Sequence, residues 1–180
     1  IKESGVLKVG YIPAAMPFSY WNRDSQLVGY DIAFAHKLAQ DLQCRLEFIP
    51  FDYDELSDNL NFGVFDIAMS GLAVTEERLK TMCFTEPYLE SEWVFISKDF
   101  QRHDFENIEE LLKKKDFKLA VVGETSLESL ARNLFPDAEL VLLESYDEFL
   151  SLDDKLIDVM LGTREEGSIS LRSLAKESGV

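Results

Sequence analysis

Two short runs of letters recur in this chain, and their spacing limits what it can fold into. Tyr53-Asp54-Glu55-Leu56 stands ahead of Phe65-Asp66-Ile67-Ala68-Met69, and Tyr146-Asp147-Glu148-Phe149 stands ahead of Ile157-Asp158-Val159-Met160-Leu161 at nearly equal spacing. Around the first copy, compact apolar runs at residues 7–12, 45–50 and 66–70 alternate with helical spacing. Ile32, Ala35, Leu38, Ala39 and Leu42 mark an amphipathic helix over 30–42, and a shorter helical pattern runs from Asp54 to the break at Gly63. The second half repeats the order: an extended stretch at 93–97, a charged helix at 106–114, strands at 117–122, 139–143 and 158–161, and helices at 126–134 and between the last two strands. Strand, helix, strand, helix, strand is the grammar of a parallel sheet with helices packed on it. The expectation is two related α/β lobes, residues 1–91 and 92–180, joined near 90–98; the alternative is chance agreement between short helical patterns.

The composition permits such a fold and excludes several functions. Of 180 residues 46% are hydrophobic, enough for a buried core. Acids outnumber bases 34 to 18, a formal net charge of -16, so the surface repels phosphate backbones and anionic headgroups. Nucleic acid and membrane surfaces are not expected partners. No apolar run approaches the roughly 20 residues of a membrane span, and the first thirty lack a basic segment followed by a hydrophobic one. If the chain is exported, its address was removed beforehand. Cys44 and Cys83 have no Cys or His at metal-ligand spacing, so no metal and no cofactor is expected. Whether the two pair as a disulfide or are two small buried hydrophobes is open. His36 and His103 lie in polar settings and read as solvated.

In open parallel sheets ligands collect beyond the carboxyl ends of the strands, where helix N-termini present free N–H groups. That directs attention to residues 70–78 and to Gly123-Glu124-Thr125-Ser126. In the first loop Thr75 is a good N-cap, and Glu76 and Glu77 suit the positive end of a helix dipole, whereas Arg78 does not. Its cation either pairs with a neighbouring glutamate or offers a planar fork to a ligand carboxylate. In the second loop Gly123 permits close approach and Thr125 or Ser126 can cap and donate, while Glu124 disfavours a phosphate. An ordinary capped turn is the alternative there.

The motifs Leu7-Lys8-Val9-Gly10, Pro17-Phe18, Leu27-Val28-Gly29-Tyr30-Asp31-Ile32, Asp66-Ile67-Ala68-Met69-Ser70-Gly71, Thr75-Glu76-Glu77-Arg78 and Phe84-Thr85-Glu86-Pro87-Tyr88 together resemble the bacterial extracellular solute-binding proteins of family 3. These are the two-lobed amino-acid binders of ABC transporters and their sensor relatives. The second half resembles them more thinly, through Gly123-Glu124-Thr125, Ser145-Tyr146-Asp147-Glu148 and Ile157-Asp158-Val159. The resemblance implies an α/β periplasmic-binding-protein type 2 (Venus-flytrap) fold, a small carboxylate-bearing ligand trapped between the lobes, and an extracytoplasmic location. It also implies a membrane transporter or receptor as partner. By it, Arg78 holds the ligand's α-carboxylate, Ser70 and Gly71 offer polar groups, Thr125 donates from the far lobe, Tyr53 stacks on the ligand, and Phe18 and Thr163 complete the candidate ligand-binding set.

Three positions depart from the pattern: Ala15 replaces an aromatic, Ala73 a hydroxyl, and Thr163 the acid that meets the ligand's ammonium. A buried ammonium without acceptors would cost roughly 1–3 kcal/mol or more, so either the ligand lacks that group or Glu165 or Glu166 stands in. A solvated helix start is the other reading of those glutamates. Arg164-Glu165-Glu166-Gly167-Ser168 also resembles binding domains fused to dicarboxylate-type symporters, which keeps dicarboxylates among the ligands. Family members return to the first lobe after the second, whereas this sequence stops at Val180. The expectation is a shortened chain or a neighbouring one covering the gap, with an exposed apolar face. Binding is the expected activity; a dehydratase-like enzyme using a cleft carboxylate, or the input domain of a membrane receptor, are the alternatives.

Overall fold

The computed structural model describes residues 4–97, 103, 105–123, 126–152 and 156–169. The chain divides into two compact units, Ile1–Tyr88 and Leu89–Val180.

In the first unit β1 (Val6–Tyr11) is central, with β5 (Arg45–Pro50) and β6 (Ile67–Ala68) parallel to it on either side. Both faces are covered. Leu7 and Val9 pack on Ala35 and Ala39 of α1 (Tyr30–Asp41), while Phe65, Phe51, Ile12 and Leu56 of α2 (Leu56–Asn61) form a second cluster. Three short strands the periodicity did not reveal, β2 (Ala14–Ala15), β3 (Ser19–Trp21) and β4 (Leu27–Val28), make a small antiparallel sheet. Asn22 closes its hairpin: Oδ1 accepts the N–H groups of Asp24 at 3.0 Å and Gln26 at 2.9 Å.

The second unit repeats the plan. Here β8 (Lys118–Val122) lies between β9 (Glu139–Leu143) and β10 (Val159–Thr163), all parallel, and β7 (Trp93–Ile96) adds an antiparallel edge to β10. One face buries Leu119, Val121, Val159 and Leu161 against Leu111 of α3 (Ile108–Leu111) and Leu127 and Ala131 of α4 (Ser126–Leu134). The other buries Ala120 and Met160 against Phe149 of α5 (Tyr146–Ser151). In each unit the three parallel strands run in the order second, first, third, and the repeated Tyr opens the helical segment before the third of them: Tyr53 heads a 3₁₀ turn, Tyr146 heads α5.

The repeated aspartate explains why that strand lies where it does. Asp66 donates its N–H to Lys8 O at 2.9 Å while its Oδ2 accepts the Lys8 N–H at 2.8 Å. Asp158 makes the same pair with Lys118, at 3.1 and 2.7 Å. Each aspartate thus satisfies a backbone donor of the central strand and fixes the register of the third parallel strand.

One expected element is not formed. The helix starting at Thr75 is a single 3₁₀ turn, Arg78–Lys80. Thr81, Cys83 and Thr85 are weak helix formers and Pro87 drives Glu86 out of the helical region, so the turn cannot propagate. Both cysteines are free thiols; Cys44 is half-buried, but Cys83 is exposed and not the buried hydrophobe considered above. Among the described residues no helix is long and apolar enough to cross a membrane.

Asp158→Ala leaves the half-buried Lys118 N–H without its partner and should lower the unfolding free energy by about 1–3 kcal/mol. Asp158→Asn, which keeps an acceptor oxygen, should lose less; urea denaturation of the three proteins checks the order.

Candidate functional site

The loop after β6 begins on Ser70, which is only 2% exposed. Its Oγ accepts the Ile12 N–H at 2.7 Å and lies 2.7 Å from Ser19 Oγ, itself a donor to Ile12 O, and 2.7 Å from Met69 O. The hydroxyl is committed inside the unit and ties the end of β1 to the small sheet.

Gly71 is committed as well. Its φ of +61° lies in the left-handed region, and a Cβ there would meet the Phe18 ring at 2.3 Å; the backbone passes over half-buried Phe18 only because this residue is glycine. Its N–H donates to Asp31 Oδ2 at 2.7 Å. Asp31, in the first turn of α1 and 1% exposed, also accepts the Tyr88 hydroxyl at 2.7 and 2.9 Å. Burial pushes its carboxyl above the ordinary 3.8, and the Gly71 and Tyr88 donors pull it part of the way back. Burial likewise raises Tyr88, with the Asp31 bond adding to it. One carboxylate thus holds the loop after β6 and the last residue of the unit. Asp31 and Tyr88 both lie in motifs that carry the family resemblance, but nothing local in those motifs shows that the two side chains meet, because their contact follows from packing.

Arg78 comes next, half-buried. Its N–H bonds Thr75 Oγ1 at 3.3 Å, so Thr75 acts as a cap even though the helix does not continue. The guanidinium donates from Nη1 to Ala73 O at 3.0 Å and lies 5.6 Å from the centre of the Tyr53 ring. Among the described residues no carboxylate forms an ion pair with it; Glu76 and Glu77 do not neutralise it, although Glu77 contributes charge at longer range. Burial holds its proton affinity below the usual arginine value. A planar cation backed by a carbonyl and an aromatic face, with most of its donors unused, is chemically a receptor for a carboxylate. Tyr53 and Arg78 are therefore brought together in the first unit, and Phe18 with Gly71.

In the second unit Thr163, half-buried, closes β10. Its N–H reaches Tyr146 Oη at 3.1 Å, its Oγ1 donates to Glu166 Oε2 at 2.6 Å, and it accepts the Glu166 N–H at 3.4 Å. Thr125 and Glu124 lie outside the described residues. Glu165 accepts from Ser91, and Arg164 pairs with Glu92. Among the described residues no three His, Cys, Asp or Glu side chains gather to hold a metal ion.

Comparison with known proteins identifies the family. The family model of the bacterial extracellular solute-binding proteins, family 3, matches residues 7–157, and the chain belongs to that family. ABC transporter arginine-binding protein 1 of Escherichia coli is 28% identical over 147 residues, 81% of this chain and 58% of that protein. Cyclohexadienyl dehydratase of Pseudomonas aeruginosa is 28% identical over 172 residues, 96% of this chain and 64% of the enzyme. This chain thus spans roughly three fifths of the length of these curated relatives. Among solved structures, the ancestral amino acid-binding protein AncCDT-1, a precursor of cyclohexadienyl dehydratase, superposes with a TM-score of 0.82 at 31% identity, over 99% of this chain and 77% of that one. An ancestral arginine-binding protein bound to arginine gives 0.75 at 25%, over 97% and 75%. The fold is the two-lobed type 2 periplasmic-binding-protein fold.

The Asp31 anchor makes a pH prediction. A carboxyl whose pKa is raised by folding binds more protons in the folded state, so its contribution to stability is fully present when protonated and falls as pH rises from about 3.8 through the raised value. Asp31→Asn should flatten that fall relative to the native chain in urea titrations between pH 3.5 and 7. Parallel slopes for the two proteins would contradict the burial argument.

Proposed function

We propose that this chain is an extracytoplasmic solute-binding domain whose Arg78 receives the carboxylate of an amino acid or related organic acid. The captured solute is delivered to, or sensed by, a membrane transporter or receptor. The observation that carries the reading is that the Arg78 guanidinium, half-buried in a chain with 34 acids, pairs with none of the described ones and is held by Ala73 O and the Tyr53 ring. Leaving a cation unpaired beside so many carboxylates is costly unless a guest supplies the charge. Tyr53 forms one wall of the receptor, and Phe18 supports the loop through Gly71. Ser70, with its hydroxyl engaged, acts by shaping that loop, and Thr125 is kept as a candidate ligand-binding residue.

Relatives support this class: they include an arginine-binding protein, an L-cystine-binding protein and a probable histidine-binding protein. The second reading, an enzyme that eliminates water from a cyclic acid, is favoured by the dehydratase relative, which is as similar in identity as the arginine binder. Turnover of a cyclohexadienyl acid by the purified chain would establish it. Tyr30, Phe34 and Tyr88 stack on the first unit at centroid distances of 5.7–6.4 Å, each about half exposed. They offer an apolar face suited to a chain–chain contact, and a strictly monomeric species in analytical ultracentrifugation would argue against one.

The test is a thermal-shift panel of amino acids, dicarboxylates and α-deaminated acids. At least one should raise Tm, since a ligand at 100 times its Kd adds about 2.7 kcal/mol. Arg78→Ala should weaken that ligand by about 10- to 100-fold, as expected for a lost charge-assisted pair. An unchanged shift would remove Arg78 from the site.

A further inference from the structure

We propose that the first unit carries an open strand position on the outer edge of β6, and that this position takes up an extended apolar segment with basic flanks from another polypeptide, laid antiparallel to β6. The proposal is independent of the Arg78 reading and gives the chain a peptide-recognition surface in addition to its solute site.

The internal repeat shows where the position lies. In both units the third parallel strand meets the central one over two residues: Ile67 and Ala68 face Val9 and Gly10, and Val159 and Met160 face Leu119 and Ala120. There the likeness ends. β10 runs on to Thr163 because β7 lies antiparallel along its outer edge, from Ile96 opposite Met160 to Trp93 opposite Thr163. β6 has β1 on its inner side and, among the described residues, no strand on its outer side, and it stops at Ala68. An edge strand turns a row of N–H and C=O groups toward whatever comes next.

Burial follows the same difference. Val159, Met160 and Leu161 are at most 2% exposed, whereas Ile67, Ala68 and Met69, their equivalents, are only partly buried. In the second unit Phe95 of β7 packs on the cluster of Leu119 and Leu161, edge-on to Phe135 at 5.8 Å, and Ile96 packs on the cluster of Ala120 and Met160. Successive residues of one strand thus seal both faces of the sheet. In the first unit Ile67 and Met69 belong to the cluster of Leu7 and Val9, and Ala68 to that of Phe65 and Leu56. Both clusters reach the edge, and among the described residues no further strand closes either.

The chemistry of the occupant follows from these surfaces and from charge. Its backbone is extended, since strand addition is held by main-chain hydrogen bonds while alternate side chains enter separate pockets. It carries neighbouring apolar residues, one for each face, as Phe95 and Ile96 do in the second unit. A second copy of this chain is a poor occupant, because each copy has a net charge of -16 and Asp66 stands exposed at the head of β6; like charges would be brought together. Lysine or arginine flanks turn the same field into attraction.

The experiment titrates the native 180-residue chain with a synthetic peptide that carries Trp-Val-Phe-Ile, the sequence of β7, between two lysines at each end, and follows amide exchange by NMR. The expected result is saturable binding that weakens with salt and slows exchange of the outward-facing amide of Ile67 or Ala68 by about tenfold or more, with the β10 amides unchanged. Two further peptides are N-methylated on every second residue, in opposite phases. The one whose methyl groups face β6 should fail to bind and the other should bind, a difference that apolar sticking does not produce. Equal binding of both, protection away from β6, or no binding would each overturn the proposal. So would Ile67 and Ala68 amides both protected before peptide is added, in a sedimenting dimer because a second copy holds the edge, or in a monomer because the chain fills it itself. Arg78→Ala should bind the peptide as the native chain does, and a failed peptide titration leaves the thermal-shift result for carboxylates standing.

Discussion

The first unit is organised by one buried carboxylate. Taking Asp31 out of water is costly unless its oxygens are met by donors, and the donors come from two distant places in the chain, the Gly71 N–H and the Tyr88 hydroxyl. Satisfying Asp31 therefore fixes where the loop after β6 turns and where the first unit ends. The turn requires a left-handed residue over the Phe18 ring, which Gly71 supplies, and it leaves Ser70 pointing inward to join β1 and β3. Arg78 is placed by what precedes it: a loop anchored at Gly71, closed by the Thr75 hydroxyl on the Arg78 N–H, has little freedom left in which to carry its cation elsewhere.

The charge balance of the chain gives that cation its meaning. At a net charge of -16 acids are abundant, and surface pairs such as Lys37 with Asp41 or Arg132 with Glu128 form along helices. Such exposed pairs contribute little. Arg78 takes a different course, resting on a carbonyl and an aromatic ring, neither of which neutralises it. Preorganisation of this kind lowers the entropic cost of receiving a guest, because the side chain is already oriented.

The sequence revealed the parts of this fold that are periodic or repeated. The alternation of apolar runs located the helix at 30–41 and the parallel strands, and the recurring Tyr-Asp-Glu and Asp-apolar letters pointed to two related α/β lobes; the common order of the parallel strands and the matching bonds of Asp66 to Lys8 and Asp158 to Lys118 came only with the structure. Features fixed by tertiary packing were not legible. Strands of two or three residues, such as β2 and β4, are too short to show a period. The inward turn of Ser70 and the Asp31 anchor depend on partners more than thirty residues away. At Thr75 the local signals for a helix start were sound, but propagation needs a run of good formers that the next residues lack. For Arg78, the dipole argument raised the question of its role, and only geometry could show that its neighbouring glutamates form no ion pair with it.

The central claim is that one guanidinium waits for a carboxylate, and side-chain NMR of the arginines, with the Arg78 signal assigned from an Arg78→Lys sample, reads it directly. As a bound amino acid is titrated in, the Arg78 Nε and Nη resonances should shift and saturate at the ligand's own Kd, while the remaining arginines hold still. Saturable binding with an unmoved Arg78 signal would contradict the account.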